Sequence, residues 1–231
     1  MGLSALEISA LELSLQVAVV SLLLSLPVGL AAAWVLARCR FVGKSLLDGL
    51  IHLPLVLPPV VVGYALLVLF GRRGPIGGWL HDVLGITLAF NWKGAALASA
   101  VMAFPLMVRA MRLSLEAVDR RLEAAARTLG AGSARVFLTV TLPLMAPGII
   151  TGAILAFARS IGEFGATITF VSNIPGLTQT LPLALYSLTQ QPDGEAAALR
   201  LTLIAVVVSL AALLASELLA RRVARQVGAA G

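Results

Sequence analysis

The amino-acid sequence predicts an all-α polytopic membrane protein with about five spans in a single domain, residues 1–231. Three observations carry that prediction. Charged residues make up 12% of the chain and apolar residues 59%, whereas soluble domains carry roughly 25% charge. The mean hydropathy is +0.99. Apolar runs approaching the roughly 20 residues a membrane helix needs recur along the chain, separated by short basic segments. The lone cysteine, Cys39, excludes an internal disulfide and a multi-cysteine metal site. In a soluble chain the net charge of +6 would suggest nucleic acid. Here it is assigned to arginines anchoring loops on the cytoplasmic side, so no nucleic-acid partner is expected. No cleavable leader is expected, because the N-terminus lacks a basic region and the first apolar run is too long.

The first span is expected over 13–37, preceded by Glu7 and Glu12 and followed by Arg38, Arg40 and Lys44. The positive-inside rule then runs it from outside to inside. Pro27 and Gly29 predict a kink, which membrane helices tolerate when neighbours satisfy the freed backbone. The second span, 50–70, contains Pro54, Pro58 and Pro59, so its first half should be irregular. The loop that follows holds Arg72, Arg73 and Lys93, against the orientation rule, but basic residues elsewhere outnumber them. Within it, 79–90 reads as a short interfacial helix anchored by Trp79.

The third span, 94–111, ends at Arg109 and Arg112, which places the polar segment 114–141 in the cytoplasm. The fourth span, 142–161, carries Gly148, Gly152 and Ala156 at four-residue spacing, a face another helix can approach closely. From Ser160 to Pro192, glycines and prolines alternate with Ser160, Thr167, Thr169 and Asn173. That mixture fits backbone lining a cavity or a pathway. The last span, 196–219, returns inward and ends at Arg221, Arg222 and Arg225. The N-terminus is thus expected outside and the C-terminus in the cytoplasm. Arg200, near the outer end of that span, is expected to snorkel to the interface.

The chain is poor in enzyme chemistry. Gly43-Lys44-Ser45 resembles the end of a phosphate loop, but the glycine the motif requires earlier is Arg38. His52 and His81 have no partner at ligand spacing, so no metal site is expected. Ser160 does not lie in a nucleophile elbow. An intramembrane enzyme therefore lacks a catalytic set, and an ion-driven transporter lacks inverted repeats and midplane acids beyond Glu163. Arg159 and Glu163, at i and i+4, share a helical face. They either line a route for an anion or form an ion pair near the outer interface that orients the helix.

The polar segment is read as a helix over 122–129 with a small-residue face at Ala124, Ala125 and Ala126. Gly130 and Gly132 permit a turn, and Ser133 reads as the N-cap of a second helix whose apolar face is Val136, Phe137 and Val140. Pro143 starts the ascent into the membrane. Such a thin exposed helix either docks in a groove of a partner or lies on the membrane surface.

Glu123-Ala124-Ala125, Gly130 and, nine residues later, Val140-Thr141-Leu142-Pro143 resemble the EAA loop of bacterial ABC importer permeases. Val140 replaces the usual isoleucine, and Glu123 sits one position early relative to Gly130. Phe157 to Thr167, with Gly162-Glu163-Phe164-Gly165-Ala166 at its centre, then Asn173-Ile174-Pro175-Gly176 and Gln179-Thr180-Leu181-Pro182, resemble the molybdate permeases of that family, the ModB type. The resemblance implies a type I importer (MetI-like) fold in the bacterial cytoplasmic (inner) membrane. It implies a second copy of the chain as partner, an ABC ATPase dimer docked on Glu123 to Pro143, and an extracytoplasmic molybdate-binding protein, all in membrane lipid. ATP and magnesium would serve the ATPase, with no cofactor in this chain. Arg159, Ser160, Glu163, Thr167, Thr169 and Asn173 are the candidate pathway or gate residues. Sulfate or tungstate is the alternative cargo within the same class.

Overall fold

The computed structural model describes residues 4–228, without the side chains of 216, 217 and 219–228. All regular structure among the described residues is helical. Helix α1 (Ala5–Arg38) opens with a capping box: Ser4 Oγ accepts from the Glu7 N–H and Glu7 Oε2 accepts from the Ser4 N–H. Two of the orphan donors at the helix start are thereby satisfied. At 34 residues α1 is about 51 Å long, well beyond a hydrocarbon core of about 30 Å. Both of its ends therefore reach polar surroundings.

The second expected span is broken. Helices α2 (Lys44–Val56) and α3 (Pro59–Phe70) meet at 115°. Leu57 and Pro58 are both extended, as residues preceding proline prefer, and Pro59 restarts the helix at its first position. The irregularity read from the prolines is a sharp turn between two short helices. The four helical runs long and apolar enough to cross a membrane become five when this pair counts as one span.

The interfacial helix is displaced from its expected position. It is α4 (Pro75–Leu84), opened by Pro75 at its first position and closed by Gly85 at φ +66°. Residues 85–90 lie beyond that left-handed stop, which only glycine adopts at little cost. Helix α5 (Trp92–Ala117) is the central element, with 61% of its apolar window buried against 28% or less for the other spans. It packs between α1 and the run formed by α7 (Ser133–Val136), a π-helical turn (Phe137–Thr141) and α8 (Leu142–Ile161). Between α5 and α7 lies α6 (Arg120–Thr128), capped by Asp119.

The small-residue face is realised. Gly148 lies against Ser114 and the Ala110 carbonyl, Gly152 against the Met107 backbone, and Ala156 is buried. A Cβ at either glycine would enter the space of α5, so glycine sets this close approach. After α8 the chain makes α9 (Gly165–Val171) and α10 (Leu181–Thr189) before α11 (Glu195–Gly228). Helix α9 packs on α3, and α11 packs on α8 and α10. The apolar window of α11 is Glu195–Ala215. The side chains of Arg221, Arg222 and Arg225, used to orient the C-terminus, lie outside the described residues.

Arg200 does not reach outward alone. Its Nε and Nη2 both donate to Glu7 Oε1, at 3.2 and 3.0 Å, and the Glu7 side chain is buried. The carboxylate that caps α1 therefore also ties it to α11. A guanidinium fork and a carboxylate in this geometry satisfy each other better than a lone arginine at an interface would.

Candidate functional site

Two regions hold the sequence-selected residues. The first is the segment from α6 to the start of α8. Gly130 closes α6 with both bonds of a Schellman motif: the Ala131 N–H donates to the Ala126 carbonyl and the Gly130 N–H to the Arg127 carbonyl. Gly130 has φ +85°, and a Cβ there would meet nothing within 4 Å. The requirement for glycine is therefore conformational, about 1–2 kcal/mol for other residues. Gly130→Asn is expected to retain stability and Gly130→Val to lose about 2 kcal/mol or more, since β-branching is penalised further at positive φ. Thermal unfolding of the two variants in the same detergent checks this. Equal midpoints would reject the conformational account.

Ser133 is not the N-cap. Gly132 holds that position in an extended conformation and makes no side-chain cap bond, while Ser133 is already the first helical residue. Before Pro143 the helix widens into the π turn, in which the Leu142 N–H donates to the Phe137 carbonyl. Pro143 has no N–H for the Thr139 carbonyl, and its ring crowds that position. The helix therefore starts its ascent at Ser133, ten residues before the proline. Ala124, Ala125 and Pro143 are exposed; Ala126, Val140 and Leu142 are half-buried.

Glu123 faces inward. Its residue is 8% exposed. Oε1 accepts from Arg38 Nη2 at 2.9 Å and from Thr141 Oγ1 at 2.8 Å. One carboxylate thus joins α6 to the last turn of α1 and to the π turn. Beside it, Trp34 and Phe137 meet edge to face at 5.1 Å. The segment is fastened to the bundle by a buried ion pair and an aromatic pair, and the exposed part of α6 includes Leu122, Ala124, Ala125 and its arginines.

The second region is the end of α8. Arg159 Nη1 lies 2.7 Å from Glu163 Oε2, off the axis of a hydrogen bond. Glu163 Oε1 accepts the Ala166 N–H, so the same carboxylate caps α9. Ser160 Oγ lies 3.0 Å from Ser21 Oγ on α1. Ser21 stands halfway along α1, so the end of α8 and the ion pair pack beside the middle of that helix. Charges packed within an apolar bundle turn to its interior or to a wet cavity. Glu163 is almost fully buried, whereas 29% of the Arg159 side chain is exposed. The guanidinium therefore keeps donors free of its carboxylate partner.

The remaining candidates divide. Thr167 is buried, and its hydroxyl has no partner among the described residues. Thr169 donates to the Gly165 carbonyl of its own helix. Asn173 belongs to a separate bracket with Gln179 and Ser187: its Nδ2 donates to Ser187 Oγ at 2.8 Å and its Oδ1 accepts from Gln179 Nε2 at 3.0 Å. Thr178 closes the same loop, accepting the Ile174 N–H and donating to the Ser172 carbonyl. Asn173 is thus a loop brace. The contributors missed in sequence are Ser14 and Ser21 on α1, one of which holds the Leu181 N–H and the other Ser160. Ser14, Ala18, Ser21 and Ser25 recur on one helical face, which was the available signal.

A bundle of five apolar spans, one of them broken, with an exposed helix–turn–helix fastened to its end and a charged pair beside the middle of its first helix, defines a membrane permease of the type I importer fold. Residues 25–225 match the family described as binding-protein-dependent transport system inner membrane component. The chain belongs to that family. It is 64% identical over 215 residues to the molybdenum transport system permease protein ModB of Escherichia coli strain K12, covering 93% of this chain and 94% of the relative. It is 60% identical over 222 residues to the protein of that name from Haemophilus influenzae, covering 96% and 97%. A bacterial ABC transporter involved in alginate import has the same fold, with a TM-score of 0.74 at 16% identity over 95% of this chain and 80% of the other. The chain is therefore a ModB-like, multi-pass membrane permease.

Proposed function

We propose that this chain is the transmembrane subunit of an ATP-driven molybdate importer of the bacterial cytoplasmic membrane. The observation that carries this reading is the 64% identity, over 93% of the chain, to a molybdenum transport permease. Two copies enclose the oxyanion route, an extracytoplasmic binding protein delivers the cargo, and a separate ATPase dimer docks on the segment 114–141. That segment faces the cytoplasm and the N-terminus faces outward. The chain itself is non-catalytic and carries no cofactor; ATP and magnesium act in the ATPase.

Arg159 suits the role of a weak anion contact along the route. Its neutralising partner Glu163 keeps the site from holding a dianion too tightly. The test is uptake of labelled molybdate into vesicles holding the permease, the ATPase and the binding protein. ATP-dependent uptake that excess sulfate does not suppress is expected. Strong competition at equal sulfate concentration would reject molybdate as the preferred cargo, and no ATP-dependent uptake would reject the importer. Arg159→Ala is expected to lower uptake about tenfold or more, the loss of one charge-assisted contact, while the ATPase still copurifies. Unchanged uptake at equal expression would leave the pair a purely structural one.

A further inference from the structure

Beside Glu123 lies a groove of about 240 Å³ lined by Trp34, Arg38, Arg120, Glu123, Ala124 and Arg127. Three guanidinium groups surround it against one carboxylate. That carboxylate oxygen already serves Arg38 Nη2 and Thr141 Oγ1. Arg38 Nε is buried and has no acceptor among the described residues. Arg120 and Arg127 stand two helical turns apart on one face of α6, both exposed, and neither forms an ion pair among the described residues. Two exposed guanidinium groups along one groove, without a carboxylate of their own among the described residues, favour an anionic acceptor.

We infer that this groove seats an acidic side chain of the docked ATPase, with Arg120 and Arg127 as its clamp and Ala124 as the small wall that leaves room for it. The inference rests on the importer reading. The groove is smaller than the roughly 300–1,000 Å³ of small-molecule pockets, so it suits the end of one side chain better than a nucleotide. Guanidinium forks match a carboxylate in two-point geometry. Trp34 and Ala124 are the only apolar residues of the lining, which leaves no channel for the acyl chains of a lipid. The inward turn of Glu123 fits the same picture. It neutralises Arg38 from within, and the excess positive charge left on α6 selects an acidic partner.

The experiment is copurification of the ATPase with the full-length permease in detergent across a salt series. Arg120→Glu combined with Arg127→Glu is expected to lower ATPase recovery at least tenfold and to flatten its salt dependence. Arg121→Glu, a single charge reversal on the same helix outside the groove, is expected to retain recovery within about twofold. Ala124→Leu, which fills the groove without changing charge, is expected to reproduce the loss; monodisperse elution of each variant confirms that it is folded. Wild-type recovery by the double variant would overturn the inference. So would equal loss in Arg121→Glu, which would mean general attraction rather than a seat. Unchanged ATPase recovery with lost binding to anionic phospholipid vesicles would assign the groove to a headgroup and overturn it as well. Failure of the unaltered permease to recover ATPase would overturn the importer reading itself, and this inference with it.

Discussion

Glu123→Ala is expected to destabilise the protein by about 3 kcal/mol, the low end of the range for breaking a buried ion pair. The low end applies because each side chain of the pair retains 11% exposure. The substitution leaves the Arg38 guanidinium buried without its carboxylate, and arginine cannot escape by losing a proton. It also leaves Thr141 Oγ1 without its acceptor. Arg38→Ala should cost less, because the stranded Glu123 still accepts from Thr141 Oγ1 and keeps part of its side chain in reach of water. The order of stability is therefore wild type, then Arg38→Ala, then Glu123→Ala. Equilibrium unfolding of the three in one detergent checks it, and the reverse order for the two variants would refute the account. The exchanged pair, Arg38→Glu with Glu123→Arg, should recover part of the loss. In the coupled complex the same Glu123→Ala change should leave ATP hydrolysis running while uptake per ATP falls, since α6 is then no longer fastened to α1 and to the π turn.

Gly63→Val is expected to separate α3 from α9 and to cost roughly 1–3 kcal/mol, the range for overpacking a tight contact. A Cβ at Gly63 would fall 2.9 Å from the Ala166 Cα and the same distance from the Thr169 Cβ. Backbone cannot yield there as a flexible side chain would. Ala166 also supplies the N–H that Glu163 caps, so the displacement reaches the Arg159–Glu163 pair. Loss of oxyanion uptake together with a lowered unfolding midpoint is expected. Gly63→Ala should show a smaller effect of the same sign. Wild-type uptake and stability in Gly63→Val would show that α3 and α9 part freely and would reject this contact as a structural hinge.

Much of the architecture was legible along the chain because its causes are local. A run of apolar residues commits a segment to lipid whatever its neighbours are. Pro58 and Pro59 break a helix through missing donors and ring sterics, and Gly130 turns the chain through a positive φ that few residues adopt at little cost. The motif from Ala124 to Pro143 was visible for the same reason: its spacing belongs to one helix–turn–helix. Where local signals competed, the reading slipped. The tryptophan at 79 drew the interfacial helix too far along, although Pro75 and Gly85 mark its ends.

The partners of the charges were decided only in three dimensions. Glu123 finds Arg38 across 85 residues, Arg112 finds Asp48 across 64, and Arg200 finds Glu7 across 193. Periodicity states which face of a helix a residue occupies, but the packing of α1, α6 and α8 states what that face meets. Sequence by itself determined a five-span permease with an exposed helix–turn–helix segment. Tertiary structure decided that the glutamate of that segment turns inward, because a carboxylate beside a buried guanidinium and a threonine hydroxyl is better satisfied there than alone on an exposed helix.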